Sequence, residues 1–193
     1  MTRRPARSAA TSSRRSRQFI HRDNTDILSK VKIRKAVADL LDNPAVFDVF
    51  PGSGMMHRHI WHQYPYQANP LPLEDIKSIE ANLVDVDTYS NPWPVIERLL
   101  PLCAADPLGI VATDAALASL KFGGRVPIWA IELCGCQQTK RSKLWLIHHY
   151  EAACLKHMEH IAATVGRKVA SAQIVRGGHA RQMGYWGFLI GRV

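Results

Sequence analysis

The chain has 193 residues, of which 47% are hydrophobic and 21% are charged, so it can bury a substantial core and is not disordered as a whole. Its length fits one domain of ordinary size. No apolar run approaches the roughly eighteen residues that span a bilayer, so we expect that the chain is not an integral membrane protein. Four cysteines are too few for a disulfide scaffold, and Cys134-Gly-Cys136 lacks the spacing of a metal knuckle. We therefore expect no metal site and a reducing compartment such as the cytoplasm.

The net charge of +9 is concentrated at the two ends of the chain. Residues 1–22 hold seven arginines and no acid, and residues 140–193 hold nine basic and two acidic side chains. The middle of the chain is mildly acidic. This distribution predicts a basic arm over residues 1–24 and a basic surface near the C-terminus.

Three interpretations of the arm remain open. With one hydrophobic pair, Phe19 and Ile20, the segment cannot form a core and is predicted to be disordered when free. Arginine-rich tails neutralise phosphates and add affinity for DNA or RNA. The same composition is also typical of an organelle-targeting segment or of a tail that only improves solubility.

The first two thirds of the chain alternate helical and extended patterns. The spacing of apolar residues predicts a helix over 26–42 and a buried strand over 45–50, followed by the glycine turn Pro51-Gly52-Ser53-Gly54. The next predicted elements are a helix at 55–63, a loop at 64–72, one or two helical turns at 73–80, a strand at 82–87, a helix at 94–102, a strand at 109–113 and a helix at 115–121 capped by Asp114.

The last third begins with one long predicted amphipathic helix over 144–165, which Gly166 ends. Two strands at 169–175 and 185–190 follow and are joined through Gly177-Gly178. Strands that alternate with helices indicate a parallel sheet, and the final pair indicates an antiparallel hairpin at its end. The predicted fold class is α/β.

Candidate ligand-binding residues follow three predicted strands. Ligands of parallel sheets bind at the carboxyl ends of the strands, where this chain places Phe50-Pro51-Gly52-Ser53-Gly54, Asp87-Thr88-Tyr89 and Thr113-Asp114. Glycines let the backbone approach a ligand, and an aspartate beside an aromatic ring can hold an amino group while the ring stacks on a base. In the alternative interpretation, Asp85 and Asp87 cap the next helix, and Tyr89 and Trp93 pack beneath the loop.

Two motifs carry a family resemblance. Val46-Phe47-Asp48-Val49-Phe50-Pro51-Gly52-Ser53-Gly54 resembles the first motif of class I S-adenosylmethionine-dependent methyltransferases, in the form found in enzymes that methylate exocyclic amino groups. Val84-Asp85-Val86-Asp87-Thr88-Tyr89-Ser90-Asn91-Pro92 resembles the Asp-Leu-Asp-Pro-Tyr-Gly-x-Pro stretch of tRNA guanine-N2 dimethyltransferases and related phage-type amino-methyltransferases. The resemblance covers roughly residues 45–122 and 168–191, and it implies a Rossmann-like class I sheet with a C-terminal antiparallel hairpin in a domain of residues 25–193.

The resemblance also implies a role for individual residues. Asp87 would orient the acceptor amine and Tyr89 would stack on the target base, as the catalytic pair. S-adenosylmethionine would be the cofactor. Its binding residues would be Asp48, Phe50, Gly52, Ser53, Gly54 and Asp85, and Asn91, Pro92 and Trp93 would bind the substrate.

The chain departs from the family at several positions. Thr88 stands where the family has proline, and Ser90 where it has glycine. The 31 residues between Phe50 and Asn82 can hold about one βαβ crossover, whereas the family has two further strands there. We therefore expect a shortened sheet that lacks the acid that binds the cofactor ribose.

These observations predict methyl transfer to an exocyclic amino group of a base in RNA or DNA, with the nucleic acid held by the arm and the C-terminal basic surface. A non-catalytic nucleic-acid-binding protein on a degenerate methyltransferase scaffold is the alternative. A small dehydrogenase is disfavoured, because the glycine turn lacks the three-glycine spacing and the downstream acid of that class.

Overall fold

The computed structural model describes residues 26–88, 90–178 and 181–193. The predicted basic arm of residues 1–24 and the predicted catalytic residue Tyr89 lie outside these ranges. The helices are α1 (Ile27–Ala38), α2 (Met55–His59), α3 (Trp93–Leu99), α4 (Ala116–Lys121), α5 (Ile128–Cys134), α6 (Lys140–His148) and α7 (Tyr150–Thr164). The strands are β1 (Val46–Asp48), β2 (Tyr66–Ala68), β3 (Leu83–Val86), β4 (Leu108–Asp114), β5 (Arg167–Gly177) and β6 (Met183–Arg192).

The six strands form one sheet in the order β2-β1-β3-β4-β6-β5. The first four of these are parallel, while β6 runs antiparallel to both β4 and β5. The prediction of an α/β fold with a C-terminal antiparallel hairpin is therefore confirmed. None of the described helices is both long and apolar enough to cross a membrane.

Strand β2 was missed by the sequence prediction, which assigned residues 64–72 to a loop. It has only three residues, lies between Pro65 and Pro70, and pairs with β1 alone at the edge of the sheet. Its side chains are half-buried or exposed, so no hydrophobic alternation reveals it. In the sequence between β1 and β3 there is thus one strand, β2, where the resemblance implies two.

Two predicted helical segments also differ from the structure. The single helix predicted over 144–165 is broken at His149, which ends α6 and precedes α7 with a φ of −107° and a ψ of 18°. No proline or glycine marks this break in the sequence. Of residues 73–80, only Leu73–Asp75 form a helical turn, and Ile79 instead forms an isolated parallel bridge with Cys103.

Alternate residues of the central strands face opposite layers of the protein. Val46, Leu83 and Val111 pack against α1, α2 and Trp61 on one face of the sheet. Their neighbours along the strands pack on the other face against α3 to α7 in the larger core. By this period of two, Asp48, Asp85 and Asp87 fall on the same face as α1.

Helix α1 lies very close to the sheet because two glycines leave room for it. A Cβ atom at Gly187 of β6 would lie 2.5 Å from Cγ2 of Val37 and 3.1 Å from Ile33, and one at Gly109 of β4 would lie 2.8 Å from Cγ1 of Val37. Any side chain at these positions would push α1 outward. The close approach brings the polar residues of α1 within reach of the strand ends.

We expect Gly187→Ala to lower the free energy of unfolding by about 1–3 kcal/mol, because the added methyl group overpacks the α1 interface. Gly191→Ala in the same strand is the matched control, since a Cβ atom there would meet nothing nearer than Oδ1 of Asp106 at 3.7 Å. The control should change stability by less than about 0.5 kcal/mol in urea denaturation. Equal effects of the two substitutions would contradict this account of how α1 is seated.

Candidate active site

A cavity of about 830 Å³ lies at the carboxyl ends of β1, β2 and β3. Strand order reverses between β1 and β3, and open α/β sheets bind their ligands at such switch points. The cavity is lined by residues from four parts of the chain: Lys30; Asp48 to Ser53 with Met55 and Met56; Asn69 to Leu73; and Asp87, Thr88, Ser90, Asn91 and Val95. Of the residues predicted to bind cofactor, Asp48, Phe50, Gly52 and Ser53 therefore meet in one place.

The glycine turn forms one wall of this cavity. Gly52 and Gly54 have φ values of 50° and 73°, which only glycine adopts readily, and the Gly54 amide closes the turn by donating to the Pro51 carbonyl at 2.8 Å. A Cβ atom at Gly52 would meet nothing nearer than its own turn, the Phe50 carbonyl oxygen at 3.8 Å. The space above Gly52 is therefore open to a ligand that lies against the backbone.

Asp87 lines the cavity with its carboxylate fixed by a cation. Lys30 Nζ of α1 lies 2.8 and 2.7 Å from its two oxygens, and an Arg34 nitrogen lies 3.6 Å away. Burial opposes ionisation of Asp87, but Arg34 and Lys30 outweigh it, so its pKa lies below the usual range. At neutral pH this side chain can therefore accept hydrogen bonds from a ligand, and its lowered pKa makes it a weaker base than an ordinary aspartate.

Asp85 does not line the cavity, in contrast to its predicted role in cofactor binding. Its carboxylate is fully buried and receives hydrogen bonds from two nitrogens of Arg34, at 2.8 and 2.7 Å, and from Trp61 Nε1 at 2.6 Å. The two-pronged contact from arginine is the strongest geometry for such a pair. Asp85 thus anchors α1 beneath the site and has no free face for a ligand.

Asp48 lies between these charges and the cavity. Its oxygens accept hydrogen bonds from the Phe50 amide at 3.1 Å and from the Tyr66 hydroxyl at 2.9 Å. Burial, helped by the negative charge of Asp85, raises the pKa of Asp48 to about 7. This group is consequently able to change charge near neutral pH.

Asn69 stands directly after β2, at the strand end where the resemblance implies an acid for the cofactor ribose. Its side-chain amide donates to the Leu71 and Val49 carbonyls, at 2.8 and 3.3 Å, and its oxygen accepts from the Leu71 amide at 3.0 Å. The side chain therefore shapes the loop that borders the cavity. The residue at this strand end is thus an amide, and its side chain is engaged by its own loop.

The residues predicted to bind substrate separate into two groups. Asn91 lines the cavity, but Pro92 is buried outside it, and Trp93 is fully buried in the core against Trp129 and Trp186. For Trp93 the packing alternative is thus correct, because its ring completes the core below the loop. Gly54 also falls outside the cavity lining, where it begins α2.

A second, smaller cavity of about 390 Å³ adjoins the first. It shares Ser90 and Asn91 with the main cavity and is otherwise lined by Ala115, Ala116, Ser119, Arg125 and Pro127. It lies toward the carboxyl end of β4, on the side away from the glycine turn. A ligand in the main cavity and a second molecule in the smaller cavity would therefore meet beside Asn91.

Sequence reasoning missed Lys30, Arg34, Tyr66 and Asn69. Lys30 and Arg34 are four residues apart on the otherwise apolar side of α1. This spacing could have predicted their acidic partners, because buried cations need such partners. Tyr66 and Asn69 belong to the short strand and loop that carry no periodic pattern.

We expect Arg34→Met to lower the free energy of unfolding by about 3–5 kcal/mol, because it leaves the Asp85 carboxylate buried without a cation. Lys35→Met is the control on the same helix, where an exposed pair with Asp39 is worth less than about 1 kcal/mol. Denaturant titration at pH 7 measures both. The double substitution Arg34→Met with Asp85→Asn should recover much of the loss, and no recovery would contradict the assignment.

Asp48 should make stability depend on pH. Its folded-state pKa of about 7 lies above the value of about 4 in the unfolded chain, so the folded protein binds this proton more tightly. Its contribution to the free energy of unfolding is therefore greatest below about pH 4 and is lost as the pH rises to about 7. The stability of the native chain relative to Asp48→Asn should fall between pH 5 and pH 8, as measured by urea denaturation. A difference between the native chain and Asp48→Asn that stays constant with pH would show that this carboxyl group ionises normally in the folded protein.

The chain matches no family model and no curated protein sequence. It does match several solved structures. It is similar to TYW2 of M. jannaschii, solved in complex with AdoMet, at 11% identity with a TM-score of 0.51 over 86% of this chain and 77% of TYW2. It is also similar to the cyclopropane synthase MmaA2 of Mycobacterium tuberculosis (10% identity, TM-score 0.48, 90% of this chain and 88% of MmaA2). The pyocyanin biosynthetic protein PhzM matches at 15% identity with a TM-score of 0.42 over 83% of this chain, which spans only 54% of PhzM. The likeness to TYW2 and the strand order together show that the chain has the Rossmann-like α/β fold of class I S-adenosylmethionine-dependent methyltransferases.

Proposed function

We propose that this protein is an S-adenosylmethionine-dependent methyltransferase that acts on an exocyclic amino group of a base in RNA or DNA. The observation that carries the proposal is the joint placement of the glycine turn after β1 and Asp87 after β3 on one cavity at the switch point of the sheet. These two elements come from the two motifs that resemble the family.

The main cavity suits the cofactor in shape and chemistry. The open space above Gly52 accepts a ligand against the backbone, and Phe50, Pro51 and Leu71 supply apolar surface for an adenine ring. Asp48 faces the same space and can become negative beside a positively charged ligand. At the ribose position, Asn69 is committed to its own loop, so the proposed site holds the ribose without a carboxylate at that strand end.

The cofactor, when bound, supplies a methyl group on a positively charged sulfur that is already activated for displacement. The protein then needs to align the acceptor amine and exclude water, and a strong base is not required. Asp87 fits this task, because its lowered pKa keeps it as a hydrogen-bond acceptor for an amino group. Asn91 lies where the two cavities join, which is the position for the acceptor in this proposal.

The base must be unpaired or flipped out to reach such a cavity. The arm of residues 1–24 and the basic C-terminal third are proposed to hold the phosphates, by analogy with other arginine-rich segments. The alternative, a binding protein without catalysis, is favoured by one feature, the missing ribose carboxylate. Cofactor affinity separates the two functions.

We expect calorimetric titration to show micromolar binding of S-adenosylmethionine and of its demethylated product. Gly52→Ala should weaken binding about tenfold or more, because its methyl group enters the space above the turn. Gly135→Ala is the matched control, since Gly135 also has a positive φ, 63°, lies outside both cavities and has open space around its Cβ position. It carries the same backbone strain and should bind the cofactor normally.

Absence of heat at millimolar cofactor with a folded sample would refute the enzyme and favour the binding protein. Where cofactor binds, transfer of radiolabelled methyl groups into unmodified tRNA transcripts or unmethylated DNA tests the acceptor. Incorporation only into protein or small molecules would contradict the proposed substrate class.

A further inference from the structure

We propose that a surface beside the second cavity binds a single-stranded stretch of RNA next to the site of methyl transfer. This surface, called here the α6 surface, consists of Phe122, Arg125, Ile128, Lys140, Arg141 and Trp145. The inference rests on the proposed function for the kind of acceptor, but the binding it predicts is measured without cofactor.

The α6 surface exposes apolar side chains that a folded protein normally buries. Phe122 at the end of α4 is 77% exposed, Ile128 at the start of α5 is 72% exposed, and Trp145 of α6 is 43% exposed. Leu144 beside Trp145 is 50% exposed. Exposed aromatic rings of this kind are the platforms on which unpaired bases stack.

The charge around these rings is strongly positive. Between residues 121 and 149 the chain has five cations, of which Lys121, Arg125, Lys140 and Arg141 are exposed, and its one acid is Glu132, which is also exposed. The negative charge of Glu132 acts on Glu97 of α3, whose pKa is raised by burial and by this neighbour. The α6 surface thus contains three cations and no acid, while the exposed Glu132 lies on the adjoining helix α5.

The first turn of α6 holds cations where helix electrostatics disfavours them. It contains Lys140, Arg141 and Lys143 and no acid, although the N-terminal end of a helix is itself positive. Residues that break a local stability rule are expected at functional sites. Arg141 and Trp145 are four residues apart, so the cation and the ring are neighbours on one face.

Hydrogen bonds connect α6 to the second cavity. Gln138, two residues before α6, receives a bond from the Val126 amide at 3.1 Å and donates to the Val126 carbonyl at 2.7 Å. This holds Arg125, which lines the second cavity, beside the start of α6. Helix α4, which supplies Ser119 to the same cavity, also packs against α6.

In this proposal a path runs from the main cavity through Asn91 and Arg125, which line the second cavity, to Arg141 and Trp145 of α6. Its cations match the phosphates of a nucleic-acid strand, and its rings require unpaired bases. Unpaired bases are the usual targets of protein recognition in RNA loops and ends, whereas duplexes hide them. Single-stranded RNA is therefore the occupant that fits both features.

The test measures fluorescence anisotropy of the full chain with a labelled, unstructured 20-nucleotide RNA between 50 and 200 mM salt. Trp145→Leu should weaken binding about five- to hundredfold, whereas Trp145→Phe should retain most of the affinity. Replacement of Lys140 and Arg141 by alanine should reduce the slope of log affinity against log salt by about 1.4, which corresponds to two lost phosphate contacts on a single strand.

Lys32→Ala with Lys77→Ala is the matched control, because it removes the same charge from exposed positions outside the basic C-terminal third, on α1 and between β2 and β3. The control should leave the salt slope unchanged. Equal losses in both double variants, unchanged affinity in Trp145→Leu, or equal affinity for the corresponding RNA duplex would each overturn the inference.

A second experiment measures the binding of the same variants to vesicles that contain 30% phosphatidylserine. Loss of vesicle binding in Trp145→Leu without loss of RNA binding would also overturn the inference and assign the α6 surface to a membrane. Cofactor titration of the same variants keeps the two proposals distinguishable: a chain that binds cofactor but shows no α6-dependent RNA affinity refutes only this inference.

Discussion

The buried contact between Arg34 of α1 and Asp85 of β3 is the constraint on which the candidate site depends. A buried charge needs a closely fitted partner, and here both oxygens of Asp85 and two nitrogens of Arg34 are engaged. The pair fixes the rotation and height of α1 over the sheet. It can do so only because Gly109 and Gly187 let the helix approach.

The charge states of Asp48 and Asp87, at the cavity above this pair, depend on it. Once Arg34 is committed to Asp85 and Lys30 to Asp87, a third carboxylate, Asp48, lies close by with both cations already engaged. Burial and the negative charge of Asp85 raise the pKa of Asp48, whereas Arg34 and Lys30 lower the pKa of Asp87 in spite of its burial. One carboxylate is thereby kept ionised as an acceptor and the other can change charge, although both follow parallel strands at the same cavity.

The path from the cavity to the α6 surface depends on a different set of contacts. Gln138 ties the segment of Arg125 to α6, and Asn91 is shared by both cavities. Of these residues, Asn91 belongs to the second motif that carries the family resemblance, whereas Arg125 and Gln138 lie outside both motifs. The proposed reaction and the proposed RNA contact are therefore supported by separate parts of the chain.

Much of this architecture could be predicted from local patterns. The apolar strand before Gly52, the strand that ends at Asp87 and the final hairpin were all placed correctly, and the motif order indicated the fold. Strand β2 could not be found, since three half-exposed residues between prolines carry no periodicity. The family resemblance implied that Asp85 binds the cofactor, and the sequence does not show that Arg34 and Trp61 face this side chain.

The sequence by itself determined the order of strands and helices and the residue types at the strand ends, because these depend on neighbours a few positions apart. Only the tertiary structure decided which acids face the cavity and which are neutralised beneath it. The partners in question are separated by 51 residues for Arg34 and Asp85, and by 57 for Lys30 and Asp87. Such pairings arise from the packing of α1 on the sheet, and no local pattern encodes them.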